Sequence, residues 1–215
     1  MSTSEPTLKS RLLRWCGGMA GVCVLLYLLP LFHIVPLKEA RKQSAAAAFN
    51  AASYVETFWN EELTKGGPKA VDAGELIDAF NKDSEDAAER YGHRLGLSSS
   101  ASFFVSGSGS ISSVDKGTIE ITLKEGGTVT IDTGPVFGNA IRDGSGLLDV
   151  SKFPNSQDFN ALSSEINRRV EESVFPSIRE KATVGTSVRF VGGVEITDSD
   201  TIPPLNLVPV VIEFP

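Results

Sequence analysis

Residues 15–37 form the longest uncharged stretch of the chain, with no Asp, Glu, Lys or Arg among them. A membrane-spanning helix needs about 20 mostly apolar residues, each adding roughly 1.5 Å of rise. The pattern therefore predicts a transmembrane anchor over residues 15–37, with a basic cytoplasmic tail over residues 1–14 before it.

The charges that flank this stretch indicate its orientation. Lys9, Arg11 and Arg14 precede it, so the positive-inside rule puts the N-terminus in the cytoplasm and the rest of the chain outside. Basic residues from Lys38 onward oppose this orientation. Three alternatives stay open: a buried hairpin helix, a cleaved signal peptide, and a lipoprotein modified at Cys23.

Residues 38–94 have the apolar spacing of helices. The first stripe recurs every three or four positions, at Phe49, Ala52, Val55, Trp59 and Leu63. A second stripe runs from Val71 to Tyr91, and its other face is acidic, which favours a solvated helix over a calcium site. We expect these two helices to pack on the domain that follows, with Trp59 in the contact.

Residues 95–215 change to the alternating pattern of strands. Six strands are predicted, over residues 102–106, 110–114, 118–123, 128–132, 187–196 and 207–214. Glycine-rich turns separate the first four, including one at residues 107–109, and Gly192 with Gly193 suggests a bulge. A helix over residues 157–175, ended by Pro176, lies between the fourth and fifth strands. The expected fold class is α+β, a small antiparallel β-barrel of the OB type with an interposed helix.

The charge of the chain is unevenly distributed. The whole chain of 215 residues carries a net charge of −7, made of +4 in residues 1–43 and −11 in residues 44–215. Such an acidic outer part argues against nucleic-acid binding, which needs a basic face. Both cysteines, Cys16 and Cys23, precede the outer part, and His93 is its single histidine. We therefore predict no disulfide, no multi-histidine metal site and no cofactor there.

Polar side chains gather in the segment that joins the fourth strand to the helix. They are Asn139, Arg142, Asp143, Asn155 and Gln157. A planar guanidinium beside a carboxylate suits a sugar or a small anion, and Trp59 or Phe137 would stack on it. The alternative is structural: Arg142 and Asp143 brace the loop, and Asn155 or its neighbour caps the helix. Glu165 and Asn167 are expected to face either this loop or water.

The chain resembles the bacterial "domain of unknown function 2291" family, described as predicted periplasmic lipoproteins. The matching segments are residues 35–37, 54–59, 134–136, 140–143 and 208–210, with Phe153, Asn155, Gln157, Phe159 and residues 165–167. The resemblance implies an accessory role beside a sugar-type ABC importer. The chain departs from the pattern in lacking a good lipid-attachment site, which favours a retained helix as the anchor. It also has Ser156 between Asn155 and Gln157, which weakens a binding role for Gln157.

The expected function is a non-catalytic accessory module, anchored in the bacterial inner membrane and facing the periplasm. It would bind a solute-binding protein or the membrane subunits of a transporter. The alternative is a receptor for a small carbohydrate, and a hydrolase with paired carboxylates is a third reading.

Overall fold

The computed structural model describes residues 49–64, 69–96, 98–197 and 204–215. The predicted basic tail 1–14 and anchor 15–37 lie outside these ranges. Within them, no helix combines the length and the apolar character that crossing a membrane requires.

Five strands form one sheet in which the first and the last strand of the pairing order also pair with each other. They are β2 (Ser100–Asp115), β3 (Thr118–Leu123), β4 (Thr128–Asp132), β5 (Ser187–Thr197) and β6 (Leu205–Glu213). The order is β2-β3-β4-β6-β5, and β2 also pairs with β5. A two-residue strand, β1 (Val71–Asp72), adds to β2 in parallel.

Among the five longer strands, one pair departs from the antiparallel expectation, because β4 and β6 are parallel. The chain leaves the sheet after β4, crosses through helices, and returns as the antiparallel pair of β5 and β6. This crossover brings β6 beside β4 in the same direction.

The turn predicted at residues 107–109 is wrong, because β2 runs through it without interruption. A Cβ atom at Gly109 would lie 2.2 Å from the carbonyl oxygen of Thr122. Glycine in a strand also marks a close approach of a neighbouring backbone, and that is its role here. The predicted bulge is confirmed, since the register of β5 against β6 shifts between Val191 and Gly192.

The helices before the sheet are shorter than the sequence pattern predicts. Helix α1 (Ala51–Thr57) continues as a π-helical turn (Phe58–Leu63). The second predicted helix is two helices, α2 (Ala73–Lys82) and α3 (Ser84–Tyr91). The helix is interrupted at Asp83, whose carboxylate accepts hydrogen bonds from the first amides of α3 and so caps that helix.

Three α-helices lie in the crossover between β4 and β5. They are α4 (Ala140–Gly144), α5 (Ser156–Arg169) and α6 (Phe175–Lys181), with a π-helical turn (Val170–Val174) between the last two. The predicted helix end at Pro176 is wrong. Pro176 lies in the first turn of α6, where its missing N–H has no intrahelical partner to lose.

The hydrophobic core is continuous from the helices into the sheet. Phe58, Phe103, Phe175 and Phe190 are among its largest fully buried side chains. Trp59 belongs to the same cluster and is 6% exposed.

Candidate functional site

Arg142, the central residue of the predicted site, is buried inside the fold. Its side chain makes a bidentate ion pair with Asp143, with Nε to Oδ1 at 2.6 Å and Nη2 to Oδ2 at 3.1 Å. Its Nη1 donates to the Phe159 carbonyl at 3.3 Å and to Asn160 Oδ1 at 3.1 Å. The residue is 4% exposed, so these partners use most of its five donors within the protein. Arg142 and Asp143 therefore brace α4 against α5.

Helix α4 can carry this brace because it lies very close to strand β5. A Cβ atom at Gly193 would lie 2.5 Å from the backbone of Ala140 and Ile141. Only a glycine permits that approach. The helix end is fixed as well, since Ser145 Oγ donates to the Arg142 carbonyl at 2.8 Å.

The other predicted site residues lie in separate places. Asn155 caps α5, because its Oδ1 accepts from the Asp158 amide at 2.8 Å. Trp59 lies in the core, where the Arg169 guanidinium is 5.6 Å from its ring centroid. Asn139 precedes α4 and makes no side-chain capping bond, and it lines a cleft beside the loop.

This cleft lies between the loop of residues 136–139 and helix α5, and its volume is about 400 Å³. Two hydrogen bonds hold the loop over the helix: the Val136 amide donates to Glu171 Oε1 at 2.7 Å, and Asn167 Nδ2 donates to the Gly138 carbonyl at 3.0 Å. The volume falls within the range of about 300–1,000 Å³ that is typical of small-molecule sites.

One polar stripe, on α5 and the π-helical turn that follows it, forms the helical wall of the cleft. Its members recur at helical spacing: Asn160, Ser163, Ser164, Asn167, Arg168 and Glu171. Ser163 and Asn167 are buried, while Asn160, Ser164 and Arg168 are exposed. The buried pair therefore forms the deep part of the wall.

Ser163 has an unusual hydroxyl group. The side chain is 6% exposed, and its Oγ has no hydrogen-bond partner. An unsatisfied buried polar atom destabilises a fold by about 1–3 kcal/mol, so such atoms are uncommon and need a physical explanation.

The positive charge that lines the cleft is already paired. Arg168 donates to both oxygens of Glu165, at 2.9 Å and 2.5 Å, and also to Glu172. The hydrogen bonds from Arg168 hold the pKa of Glu165 below its ordinary value, against a smaller opposing effect of desolvation. Glu165 thus turns to Arg168, and Asn167 faces the loop.

The sequence singled out Asn139, Asn167 and Phe137 but missed Asn160 and Ser163. The sequence feature that could have identified them is the helical spacing of polar residues on one face of α5. That face lines a cleft because the loop of residues 136–139 lies over it. Among the described ranges, no group of three or more His, Cys, Asp and Glu side chains is placed to hold a metal ion.

The fold is similar to that of a solved OB-fold protein from Thermotoga maritima. The TM-score is 0.68 at 22% sequence identity, and the match covers 78% of this chain and 99% of that chain. At this identity the likeness defines the fold and leaves function to the site. No curated protein matches the chain.

A family model covers residues 22–213, nearly the whole chain. The family is described as predicted periplasmic lipoproteins, in agreement with the extracytoplasmic, membrane-associated location that the sequence predicts. The chain belongs to the predicted periplasmic lipoprotein family DUF2291.

Proposed function

We propose that this protein is a non-catalytic binding module on the outer face of the cytoplasmic membrane, and that it binds a small molecule in the cleft on α5. The observation that carries the proposal is the buried Ser163 hydroxyl without a partner. A ligand that hydrogen-bonds this hydroxyl would remove the cost of leaving it unsatisfied. Asn167, the other buried polar residue of the wall, donates through its amide nitrogen to the loop, and its side-chain oxygen remains as an acceptor.

The lining of the cleft suits binding better than catalysis. General acid–base chemistry needs a titratable side chain free to exchange a proton with the substrate. Of the two charged lining residues, Arg168 is paired with two glutamates, and Glu171 accepts the Val136 amide. A glycoside hydrolase needs two facing carboxylates, and Glu171 is the single carboxylate among the described residues that line this cleft.

The experiment is a thermal-shift screen of the full chain in detergent against a chemically diverse set of small molecules. We expect at least one compound to raise the melting temperature, with a smaller shift in Ser163→Ala. The control is Ser173→Ala, an exposed serine that follows α5 and lies outside the cleft. The proposal fails if no compound shifts the melting temperature, or if every shift survives Ser163→Ala unchanged.

A second candidate function is docking to a component of a sugar-type ABC importer, either the solute-binding protein or a membrane subunit. The observation that favours it is Phe137, which is 82% exposed on the hydrogen-bonded loop. Exposed aromatic side chains on fixed loops are frequent anchors of protein interfaces. Co-purification with an importer component should be lost in Phe137→Ser and retained in Val184→Ser, which removes another exposed apolar side chain.

The proposed tether is a retained helix over residues 15–37. Replacing Cys23 with Ala tests this against lipid attachment, because lipidation at that position requires the thiol. We expect the wild-type chain and the variant to have the same intact N-terminal tail by mass spectrometry and to stay in the membrane fraction, whereas a lipidated wild-type chain would begin at Cys23. Release of the variant into the periplasmic fraction would contradict a helical tether.

A further inference from the structure

We infer that the cleft on α5 takes a neutral, polyhydroxylated molecule of one or two sugar rings, held by side-chain amides and hydroxyls and stacked on Phe137. This inference rests on the proposed binding function and adds the chemical class of the ligand. The residues that it uses as ligand contacts do not include Arg142, whose hydrogen bonds are made to other residues inside the fold.

The first argument is the hydrogen-bonding capacity left in the wall. Asn160 accepts from Arg142 through Oδ1, so its Nδ2 remains as a donor. Asn167 donates through Nδ2 to the loop, so its Oδ1 remains as an acceptor. Ser163 can do both, and its hydroxyl is unpartnered. Alternating donors and acceptors match ligand hydroxyl groups, which donate and accept at once.

The second argument is the charge of the lining. Its two charged residues are Arg168, with both guanidinium edges engaged by Glu165 and Glu172, and Glu171, which accepts from the loop. Burying an anion or a cation needs an uncompensated partner of opposite sign. Because Arg168 already has two carboxylate partners, an anion finds no free positive charge in the lining, and a ligand without negative charge fits best.

The third argument is the aromatic side of the cleft. Phe137 lies in the covering loop with most of its ring exposed. Hydrogen bonds on both sides of Phe137, from Val136 and to Gly138, hold that loop on the helix. A sugar ring has an apolar face of C–H groups in addition to its hydroxyls, and sites of this size combine an apolar wall with a few placed polar groups.

The shape of the site disfavours an extended peptide, the other neutral ligand rich in donors and acceptors. Peptides are commonly bound by an exposed strand edge or by a long apolar groove. This cleft lies between a loop and a helix, and its apolar side chains are Val136 and Phe137. A volume of about 400 Å³ holds a compact ligand.

The test is isothermal titration of the full chain, in a detergent without a sugar headgroup, with neutral mono- and disaccharides. Glucosamine, glucuronate and a neutral dipeptide are the comparison ligands. We expect at least one neutral saccharide to bind, with charged analogues of the same ring binding no better. Ser163→Ala should weaken its affinity roughly fivefold, in keeping with the loss of one hydrogen bond.

Three further variants keep the result independent of how well any single variant folds. Phe137→Ala should weaken saccharide binding at least about tenfold, as loss of an aromatic contact does in binding sites. Ser164→Ala, on the exposed part of the wall, should have a smaller effect, and Ser173→Ala none.

The outcomes distinguish the inferred ligand class, a neutral saccharide, from the proposed function, small-molecule binding in the cleft. If the screen gives cleft ligands that are all charged, apolar or peptidic, the chemical class is wrong while the binding function stands. If no ligand of any class binds, both fall. If saccharides bind but Ser163→Ala and Phe137→Ala leave their affinity unchanged, the saccharide site is elsewhere and the inference is overturned.

Discussion

The Arg142 guanidinium lies over the ring of Phe159, 4.0 Å from its centroid, while its Nη1 donates to the carbonyl of the same residue. Stacking and hydrogen bonding by one side chain connect α4 to the first turn of α5. The same nitrogen reaches Asn160 Oδ1, so the brace also orients a residue of the cleft wall. The sequence suggests that Arg142 contacts a ligand, but in the structure Arg142 lies inside the fold and orients a residue of the cleft wall.

Removing this brace should destabilise the protein strongly. Arg142→Leu leaves Asp143 and the Phe159 carbonyl without their partner, and breaking a buried pair costs about 3–5 kcal/mol. We expect the free energy of unfolding, measured in urea, to fall by roughly 3 kcal/mol. Arg90→Leu is the control, because its ion pair with Asp86 is mostly exposed and exposed pairs contribute little to stability. Equal losses in the two variants would show that Arg142 is not a buried brace.

The contact of α4 with β5 gives a second prediction. Gly193→Ala would put a methyl group 2.5 Å from the α4 backbone, so the helix must move. Overpacking of this kind costs about 1–3 kcal/mol, and we expect a lower melting temperature together with weaker ligand binding. Ser187→Ala changes an exposed residue of the same strand and should leave both unchanged. A Gly193→Ala variant with wild-type stability would contradict the close packing.

Two buried serines make a matched pair. Ser145 donates to the Arg142 carbonyl, whereas the Ser163 hydroxyl has no partner. Ser145→Ala should lower the free energy of unfolding by about 1 kcal/mol, while Ser163→Ala should keep it or raise it by up to about 1 kcal/mol. Denaturant unfolding without ligand measures both. A loss in Ser163→Ala as large as that in Ser145→Ala would mean that the hydroxyl already has a protein partner.

The lowered pKa of Glu165 predicts how the stability of the protein depends on pH. Its pKa is lowered mainly by the hydrogen bonds from Arg168. A carboxylate with a lowered folded-state pKa contributes stability above the unfolded-state pKa, roughly pH 4.3 for glutamate, and loses it as the pH falls through the lower folded value. An NMR titration should give Glu165 a pKa below that of a free glutamate, and Arg168→Gln should raise it. An unchanged pKa in Arg168→Gln would rule out this pairing in solution.

The sequence predicted most of the sheet because local alternation determines it. The bounds of β3 and β4 match the predicted strands, since their apolar residues alternate cleanly between short turns. Strand β2 is one strand where the sequence predicts two, because Gly107 and Gly109 have the composition of a turn. Their actual role depends on the neighbouring strands β3 and β5, and β5 is distant in sequence.

The cleft was predictable only in part, for the same reason. Asn139, Phe137 and Asn167 were recognisable as polar or aromatic residues of one segment. Whether Ser163 lacks a partner, and whether Arg142 points inward, depends on how the loop and α4 lie against α5. Those contacts are tertiary, and no local spacing encodes them.

The most direct test of the central claim is an NMR titration of the side-chain amides with the tightest-binding saccharide of the calorimetric panel. The account predicts that the amide signals of Asn139, Asn160 and Asn167 shift together and saturate with one affinity. Asn155, which caps α5 outside the cleft, should not move. Shifts centred on Asn155, or an absence of shifts at the three cleft asparagines under saturating ligand, would contradict the claim that this cleft is the binding site.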